Sequence, residues 1–420
     1  MRVLVISAAY PPMHAGEASN TYYLCRHLAE RGLDVHVLTS RSNVGTAEEG
    51  ITVHPIMRSW RWLDMLRIRA FIRRCSPDAI LLMYLGRMYG YHPMITFLPT
   101  IAKRILPGVP FVTRFEHAFF GADPSTTSLI SRTFRKLLVL SVGRSDVAYS
   151  AGTLFRDSDR VIVLCENHHS MLLAESSESK SKTVIIPPPS NICLCAADRP
   201  TARRLGREKL GIPADDFVVS FMGYFYPWKG IETLLQAFQI VRSRTKNVRL
   251  LFIGGINDLN VGADAAYFNN MRELSHKLNV DDQITWTGEF RPDSDEGSTY
   301  LYASDICVLP FVCGIQMNNS SLASIAAHGL PLIATRGKRV ETPFKDQENV
   351  LLCPPRDVEA LATAIDSLIR NPELRESLSK GVTRLARDWF SWEKATDRTI
   401  ETFCTHFSTN HPSAALRKLR

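Results

Sequence analysis

Arg2-Val3-Leu4-Val5-Ile6-Ser7, running into Ala8-Ala9-Tyr10-Pro11-Pro12-Met13-His14-Ala15-Gly16, decides the fold class. A short apolar run that ends in a proline-containing loop is the pattern of a strand buried on both faces. Residues Ala18–Arg31 then place Tyr22, Leu24, Cys25, Leu28 and Ala29 at helical spacing, and Gly32 supplies the stop. Val35–Thr39 returns to a strand pattern. Strand, helix, strand in that order predicts a parallel pair joined by a crossover helix, so the class is α/β and doubly wound. The same loop removes one function. A nicotinamide-binding domain needs G-x-G-x-x-G directly after its first strand, so that backbone can approach a pyrophosphate, and this loop offers only Gly16.

The alternation continues, with strands expected at Ala79–Met83, Pro110–Arg114 and Arg160–Leu164. It breaks at the polar stretch Glu175–Lys182. Ile185-Ile186-Pro187-Pro188-Pro189 can continue neither a helix nor a central strand, so a domain boundary is placed there. A second series follows: Phe217–Met222 (strand), Gly230–Arg244 (helix), Val248–Gly254 (strand), Met271–Leu278 (helix), Ile284–Thr287 and Ile306–Pro310 (strands). Helices are expected at Val358–Arg370, Pro372–Asp388 and Trp392–His406. The expected domains are therefore 1–187, 188–385, and a C-terminal segment 386–420.

A chain of 420 residues exceeds what one core usually supports. Hydrophobic content of 45% and charged content of 22% are those of a globular protein. No apolar run approaches the roughly 18 residues a membrane helix needs; Leu137–Val142 has the length of a core strand or helix segment. The start lacks the pattern of an export signal, and the nine cysteines have no zinc-like spacing, so they are read as reduced core residues of a cytoplasmic protein. A net charge of +8 admits an anionic partner without choosing it.

Taken in order, several segments resemble glycosyltransferase family 4. Tyr10-Pro11-Pro12 with Gly16 is similar to that family's first loop, and Arg160–Glu166 to the strand and turn closing its first domain. Gly223–Gly230 resembles the phosphate-contacting loop. Ala303–Pro310 leads into the donor loop, Ala327–Thr335 follows the donor-site helix, and Asn349–Asp357 and Phe390–Trp392 complete the series. The resemblance spans Arg2 to about Phe407. It implies a GT-B fold: two Rossmann-like domains facing a central cleft, acceptor side first and nucleotide-sugar side second, with the last helix packing back on the first domain. It also implies a retaining, hexosyltransferase-type transfer from a nucleotide sugar. The resemblance calls for no cofactor and no divalent metal, and the acceptor is a sugar, a lipid-linked compound or a small molecule.

Site residues follow from the matched motifs. Lys229 is expected to open a helix, where the helix dipole and a point charge suit a diphosphate; a solvated lysine in a turn is the plainer reading. Tyr224 stands where the family has an arginine. Gln316 and Ser324 match its pair of donor-loop glutamates, and neither carries charge. A charged hydrogen bond contributes about 1.5–3 kcal/mol against about 1 for a neutral one, so this pair of changes alters the site. A partial substitute lies in Gly314–Leu322, where Asn319 or Ser320 can cap a helix whose start, with Ser321, could hold phosphate oxygens. Pro310–Gly314 resembles the loop of a family branch with a serine at that helix start. In the first domain Gly16 permits close approach of donor or acceptor, or is a simple turn glycine. His117 and Glu116 follow a strand end, with Phe115 at the family's histidine position.

Three readings remain open at this level. The leading one is an active transferase in polysaccharide, envelope-glycan or metabolite biosynthesis. The departures at Tyr224, Gln316 and Ser324 motivate a weakly catalytic scaffold of a glycan-assembly complex, and a GT-B epimerase is the third. Arg58–Arg74 holds six arginines among Trp60, Trp62, Leu63, Leu66 and other apolar residues. Such a segment either lies on an anionic membrane, giving peripheral contact at the inner face, or packs as an ordinary helix with a solvated basic face. Nucleic acid is not expected as a partner, because no binding module accompanies the charge.

Overall fold

The computed structural model describes residues 1–43, 49–117, 133, 137, 140, 151–175, 180–291 and 294–404. Most of Leu137–Val142, the middle of Glu175–Lys182 and the last two residues of the expected final helix lie outside the described residues. The chain divides into two compact units, Met1–Pro187 with Trp392–Arg420, and Pro188–Ser391.

The first unit begins β1 (Arg2–Ile6), α1 (Gly16–Glu30), β2 (Asp34–Ser40), β3 (Ile51–Met57), α2 (Asp64–Cys75) and β4 (Ala79–Tyr84). It continues α3 (Leu98–Ile105), β5 (Phe111–Phe115), α4 (Leu154–Asp157), β6 (Arg160–Val163), α5 (Glu166–Glu175) and β7 (Thr183–Ile185). Its sheet runs β3-β2-β1-β4-β5-β6-β7, all parallel, with Val3 in register with Val35 on one side and Ala79 on the other. β1 is thus buried on both edges and both faces, which is why it reads as an unbroken apolar run.

In this first sheet two strands were not legible, and both are outermost. β3 carries Pro55, which an edge strand tolerates because one row of its backbone groups needs no ladder partner. β7 ends at Ile185, so Pro187–Pro189 stop the sheet from outside it, where a break with no strand was expected.

The second unit comprises α6 (Arg199–Leu210), β8 (Phe217–Met222), α7 (Ile231–Arg244), β9 (Val248–Ile253), α8 (Val261–Lys277), β10 (Ile284–Trp286) and α9 (Glu296–Tyr302). β11 (Ile306–Leu309), α10 (Ser320–Ala327), β12 (Leu332–Thr335), β13 (Leu351–Cys353), α11 (Val358–Arg370) and α12 (Pro372–Trp389) follow. The sheet order is β10-β9-β8-β11-β12-β13, again parallel. Asp305, just before β11, accepts from Arg203, Arg207 and the Val218 amide at 2.7–2.9 Å, which clamps the N-terminal ends of β8 and β11. Because α12 runs on to Trp389, the second unit extends to Ser391.

The last helix, α13 (Trp392–Cys404), belongs to the first unit. Val3, Val5, Val35, Val37, Leu81, Met83, Val112 and Ile162 form one apolar face of that sheet, packed with Tyr23, Leu24 and Leu28 of α1 and with Ala395 and Phe403 of α13. Trp392 stacks on Tyr23 and His27, at centroid distances of 6.0 and 4.8 Å, and Arg31 pairs with Asp397.

Each sheet reverses its strand order once, between β1 and β4 and between β8 and β11. In open parallel sheets the crevice beyond the strand C-termini at such a reversal is where ligands bind. The loops after β1, β8 and β11 at those points are ones the sequence motifs single out.

Candidate functional site

In the second unit the loops after β8 and β11 meet. Gly223 leaves β8 with φ +141°, a conformation that favours glycine. A Cβ there would stand 3.1 Å from Ser321 Oγ and 3.5 Å from Lys229 Nζ, so the lysine and the start of α10 converge on this one backbone point. Gly230, φ +68°, precedes α7 as its N-cap, and a Cβ on it would run into the Pro310 carbonyl at 2.0 Å. The Val312 amide donates to the Trp228 carbonyl at 3.0 Å and ties the two loops together.

Lys229 therefore does not open α7. It closes the 3-10 turn Pro227–Lys229, because Gly230 takes the cap position, and its ammonium reaches back to Gly223. The side chain is 6% exposed, with Nζ 4.3 Å from the Phe311 ring centroid and 5.0 Å from that of Tyr226. Among the described residues no carboxylate pairs with it. A lysine packed against ring faces, with no carboxylate to neutralise it, leaves its charge available to an anionic ligand.

α10 starts with Asn319 as its cap: Oδ1 accepts from the Leu322 amide at 3.1 Å. The first amides of a helix lack intrahelical acceptors, so those of Ser320 and Ser321 are available to an anion beside Lys229. Ser324 lies one turn further in, fully buried. Its hydroxyl donates to the Ser320 carbonyl at 2.9 Å and meets Ser190 Oγ at 3.0 Å. Tyr224, next to Gly223, is half-buried.

Gly314 serves packing. Its φ is +84°, and a Cβ would stand 2.2 Å from the Gly337 backbone, so the donor loop lies directly on the loop after β12. Gln316 is half-buried between buried Ile315 and Met317. The Ile315 amide donates to the Thr335 carbonyl at 2.9 Å, and the Met317 amide to Glu341 Oε2 at 2.7 Å. Glu341 is 1% exposed. Sequence reasoning missed it, since an acid among Arg336, Lys338 and Arg339 has no motif spacing to the donor loop.

In the first unit Gly16 is the first residue of α1, and a Cβ on it would meet nothing within 4 Å. Neither packing nor a positive φ demands glycine there. Glu116, beyond β5, accepts from Arg114 Nε at 2.8 Å and from Asn20 Nδ2 at 3.0 Å, while Arg87 pairs with Glu17 at 2.9 Å. His117 keeps solvent contact, yet desolvation by its neighbours and the nearby Arg87 push its pKa below the usual 6.5, with Glu17 opposing. Its ring lies 4.9 Å from that of His168, whose pKa burial lowers to about 3. The structure thus brings Glu116, His117, Glu17 and Arg87 together in the first unit. In the second it brings together Gly223, Lys229 and the Asn319–Ser321 helix start.

Comparison with known proteins agrees with this division. Residues 203–384 match the family described as Glycosyl transferases group 1, and residues 16–192 match Glycosyltransferase Family 4. A D-inositol 3-phosphate glycosyltransferase of Saccharomonospora viridis is 28% identical over 210 residues, 49% of this chain and 46% of that protein. The chain spans about half the length of the curated relatives it matches. Among solved structures, sucrose-phosphate synthase from Thermosynechococcus elongatus superposes with a TM-score of 0.72 at 19% identity, covering 98% of this chain and 100% of that one. Anabaena HepE, solved in complex with UDP-glucose, gives 0.69 at 15% identity, covering 96% and 100%. At such identities the likeness concerns the fold.

Proposed function

The chain belongs to the group 1 glycosyltransferases of family 4, with their two-domain GT-B fold, and on that premise we propose that it moves a sugar from a nucleotide-sugar donor to an acceptor with retention of configuration. One observation carries the reading: a buried lysine, Lys229, with no carboxylate partner among the described residues, beside Gly223 and the start of α10 where the sheet order reverses.

The chemistry follows from that placement. Lys229 and the Ser320 and Ser321 amides hold the diphosphate, with Asn319 fixing the helix start. As the bond between the anomeric carbon and the β-phosphate oxygen breaks, the charge growing on that oxygen is stabilised by groups already in position. The acceptor oxygen bonds the anomeric carbon on the same face, and its proton passes to the departing phosphate oxygen. No enzyme nucleophile is needed, and the scheme uses no metal. Gln316 exchanges hydrogen bonds with sugar hydroxyls. Ser324, occupied with Ser320 and Ser190, supports the helix start rather than spanning a ribose. Tyr224 offers a phenol where the family has a guanidinium. In the first unit Gly16 leaves room for the reactants, and Glu116 and His117 contact acceptor hydroxyls.

Calorimetric titration with UDP-, GDP- and TDP-sugars, followed by assay of nucleotide release, tests the proposal. At least one donor is expected to bind and turn over; binding of none would end the transferase reading. The scaffold reading draws on the uncharged Tyr224, Gln316 and Ser324. It would prevail if Lys229→Ala left the cellular glycan intact while deletion of the whole protein removed it.

We place the enzyme in the cytoplasm, in peripheral contact with an anionic membrane through α2. Trp60, Met65, Ile68, Phe71 and Ile72 of that region are buried. Leu63 (82% exposed) and Leu66 (66%) instead stand out among exposed Arg58, Arg61, Arg69, Arg73 and Arg74. Two exposed apolar side chains in a segment with five exposed arginines suit a headgroup surface. No helix among the described residues is long and apolar enough to cross a membrane.

A further inference from the structure

The donor loop has lost the family's charged pair, yet it is built around a carboxylate that lies elsewhere in the chain. Three contacts hold the loop on either side of Gln316. Gly314 rests on the Gly337 backbone, the Ile315 amide is held by the Thr335 carbonyl, and the Met317 amide is held by Glu341 Oε2 at 2.7 Å. Gln316 stands between the last two anchors, so its backbone is fixed on both sides while its side chain stays half-buried.

The Glu341 anchor differs from the other two in kind. The Thr335 carbonyl is backbone and the Gly314 contact needs only the absence of a side chain, whereas this one depends on a particular functional group. Its acceptor is a carboxylate 1% exposed to solvent, where a charge-assisted bond is short and strong. Glu341 is itself held in a braced loop. The Phe344 amide donates to its carbonyl at 3.0 Å, Arg336 pairs with Asp346 at 2.6 Å, and Asp346 Oδ1 accepts from the Leu352 amide at 2.8 Å. The brace runs from β13 through residues 336–346 to the donor loop.

We propose that Glu341 is a positioning residue of the donor site: its carboxylate sets the Met317 backbone and so places the Gln316 amide against the transferred sugar. The inference rests on the nucleotide-sugar reading above. It assigns the two halves of the donor to different parts of the second unit. The diphosphate belongs to Lys229 and the α10 start, and the sugar to a loop whose register Glu341 keeps. A neutral Gln316 has only geometry to work with, which makes its placement more critical than that of a carboxylate acting at longer range.

The test uses the full chain with whichever nucleotide sugar the wild type turns over. Glu341→Ala is expected to lower kcat about 10–100-fold, the size of effect that a displacement near 1 Å produces. Affinity for the nucleoside diphosphate alone should stay within about threefold. Glu341→Gln, which keeps an acceptor oxygen, should recover most of the rate. The double variant Gln316→Ala/Glu341→Ala should be no slower than Gln316→Ala, because Glu341 acts through Gln316. Unchanged kcat in Glu341→Ala, additive losses in the double variant, or parallel loss of rate, diphosphate affinity and thermal stability would each overturn the proposal. Absence of turnover by the wild type with every donor would instead count against the transferase reading.

Discussion

Lys229 concentrates the argument at the scale of single residues. Replacing it by Met keeps most of its volume between Phe311 and Tyr226 and removes only the charge. Loss of one preorganised electrostatic contact typically costs about 10²–10³ in rate. Removing the charge of a buried lysine that has no carboxylate partner among the described residues should leave stability unchanged or raised. Lys229→Met is therefore expected to retain the wild-type melting temperature while losing about 10²–10³ in kcat; a lowered melting temperature would mean that the lysine is structural. Lys229 was legible because it sits in a dense local motif. Its setting was less so: Gly230 takes the cap position and leaves the lysine on a 3-10 turn, and φ of +68° at that glycine is not written in the motif. Glu341 was illegible for a different reason. It reaches Met317 across a sequence separation of 24 residues, and one hydrogen bond at that range has no periodicity to betray it.

Among the elements, α10 shows how a short helix is held at both ends. Asn319 caps its start. At its end His328 is fully enclosed, with Nδ1–H donating to the Ser324 carbonyl at 2.6 Å and Nε2 accepting from the Ser298 hydroxyl at 2.7 Å. The same hydroxyl oxygen accepts from the Cys195 amide at 2.9 Å. Burial lowers the His328 pKa to about 4. In the unfolded chain the ring takes up a proton near pH 6.5, so acidification favours unfolding. Stability contributed by the neutral ring is present above pH 6.5 and is lost progressively toward pH 4, by ~1.4 kcal/mol per pH unit. Urea unfolding at pH 7 and pH 5 should show a clear loss in the wild type and a smaller one in His328→Gln. Equal losses would mean that other groups carry the acid sensitivity, with buried His168 the first to examine. Central strands such as β1 and β8 were readable because burial on both faces makes them continuous apolar runs. α6 escaped notice since its arginines, Arg203 and Arg207, are turned inward to Asp305 and mask the helical apolar period.

For the molecule as a whole, the net charge of +8 finds a local expression on α2. The full chain should sediment with phosphatidylglycerol-rich vesicles and be left in solution by phosphatidylcholine vesicles, with binding weakened as salt shortens the range of the attraction. Reversing Arg61, Arg69 and Arg73 to Glu should weaken binding at least about tenfold, since each basic residue near such a surface contributes about 1 kcal/mol. Binding that ignores lipid charge would sink the membrane proposal. The two-unit organisation was visible in the restart of the strand-helix alternation after Pro187–Pro189. The return of the last helix came only from resemblance to the family, because nothing in the spacing of Trp392, Ala395 and Phe403 says which core they enter. That return has a consequence for synthesis. The second unit is one continuous stretch, Pro188–Ser391, and can close as soon as it leaves the ribosome. The first unit lacks Trp392, Ala395 and Phe403 until translation has passed through the whole of the second. The half of the protein made first is thus the half finished last, and its incomplete apolar face must wait, uncovered by α13, while the other half is made.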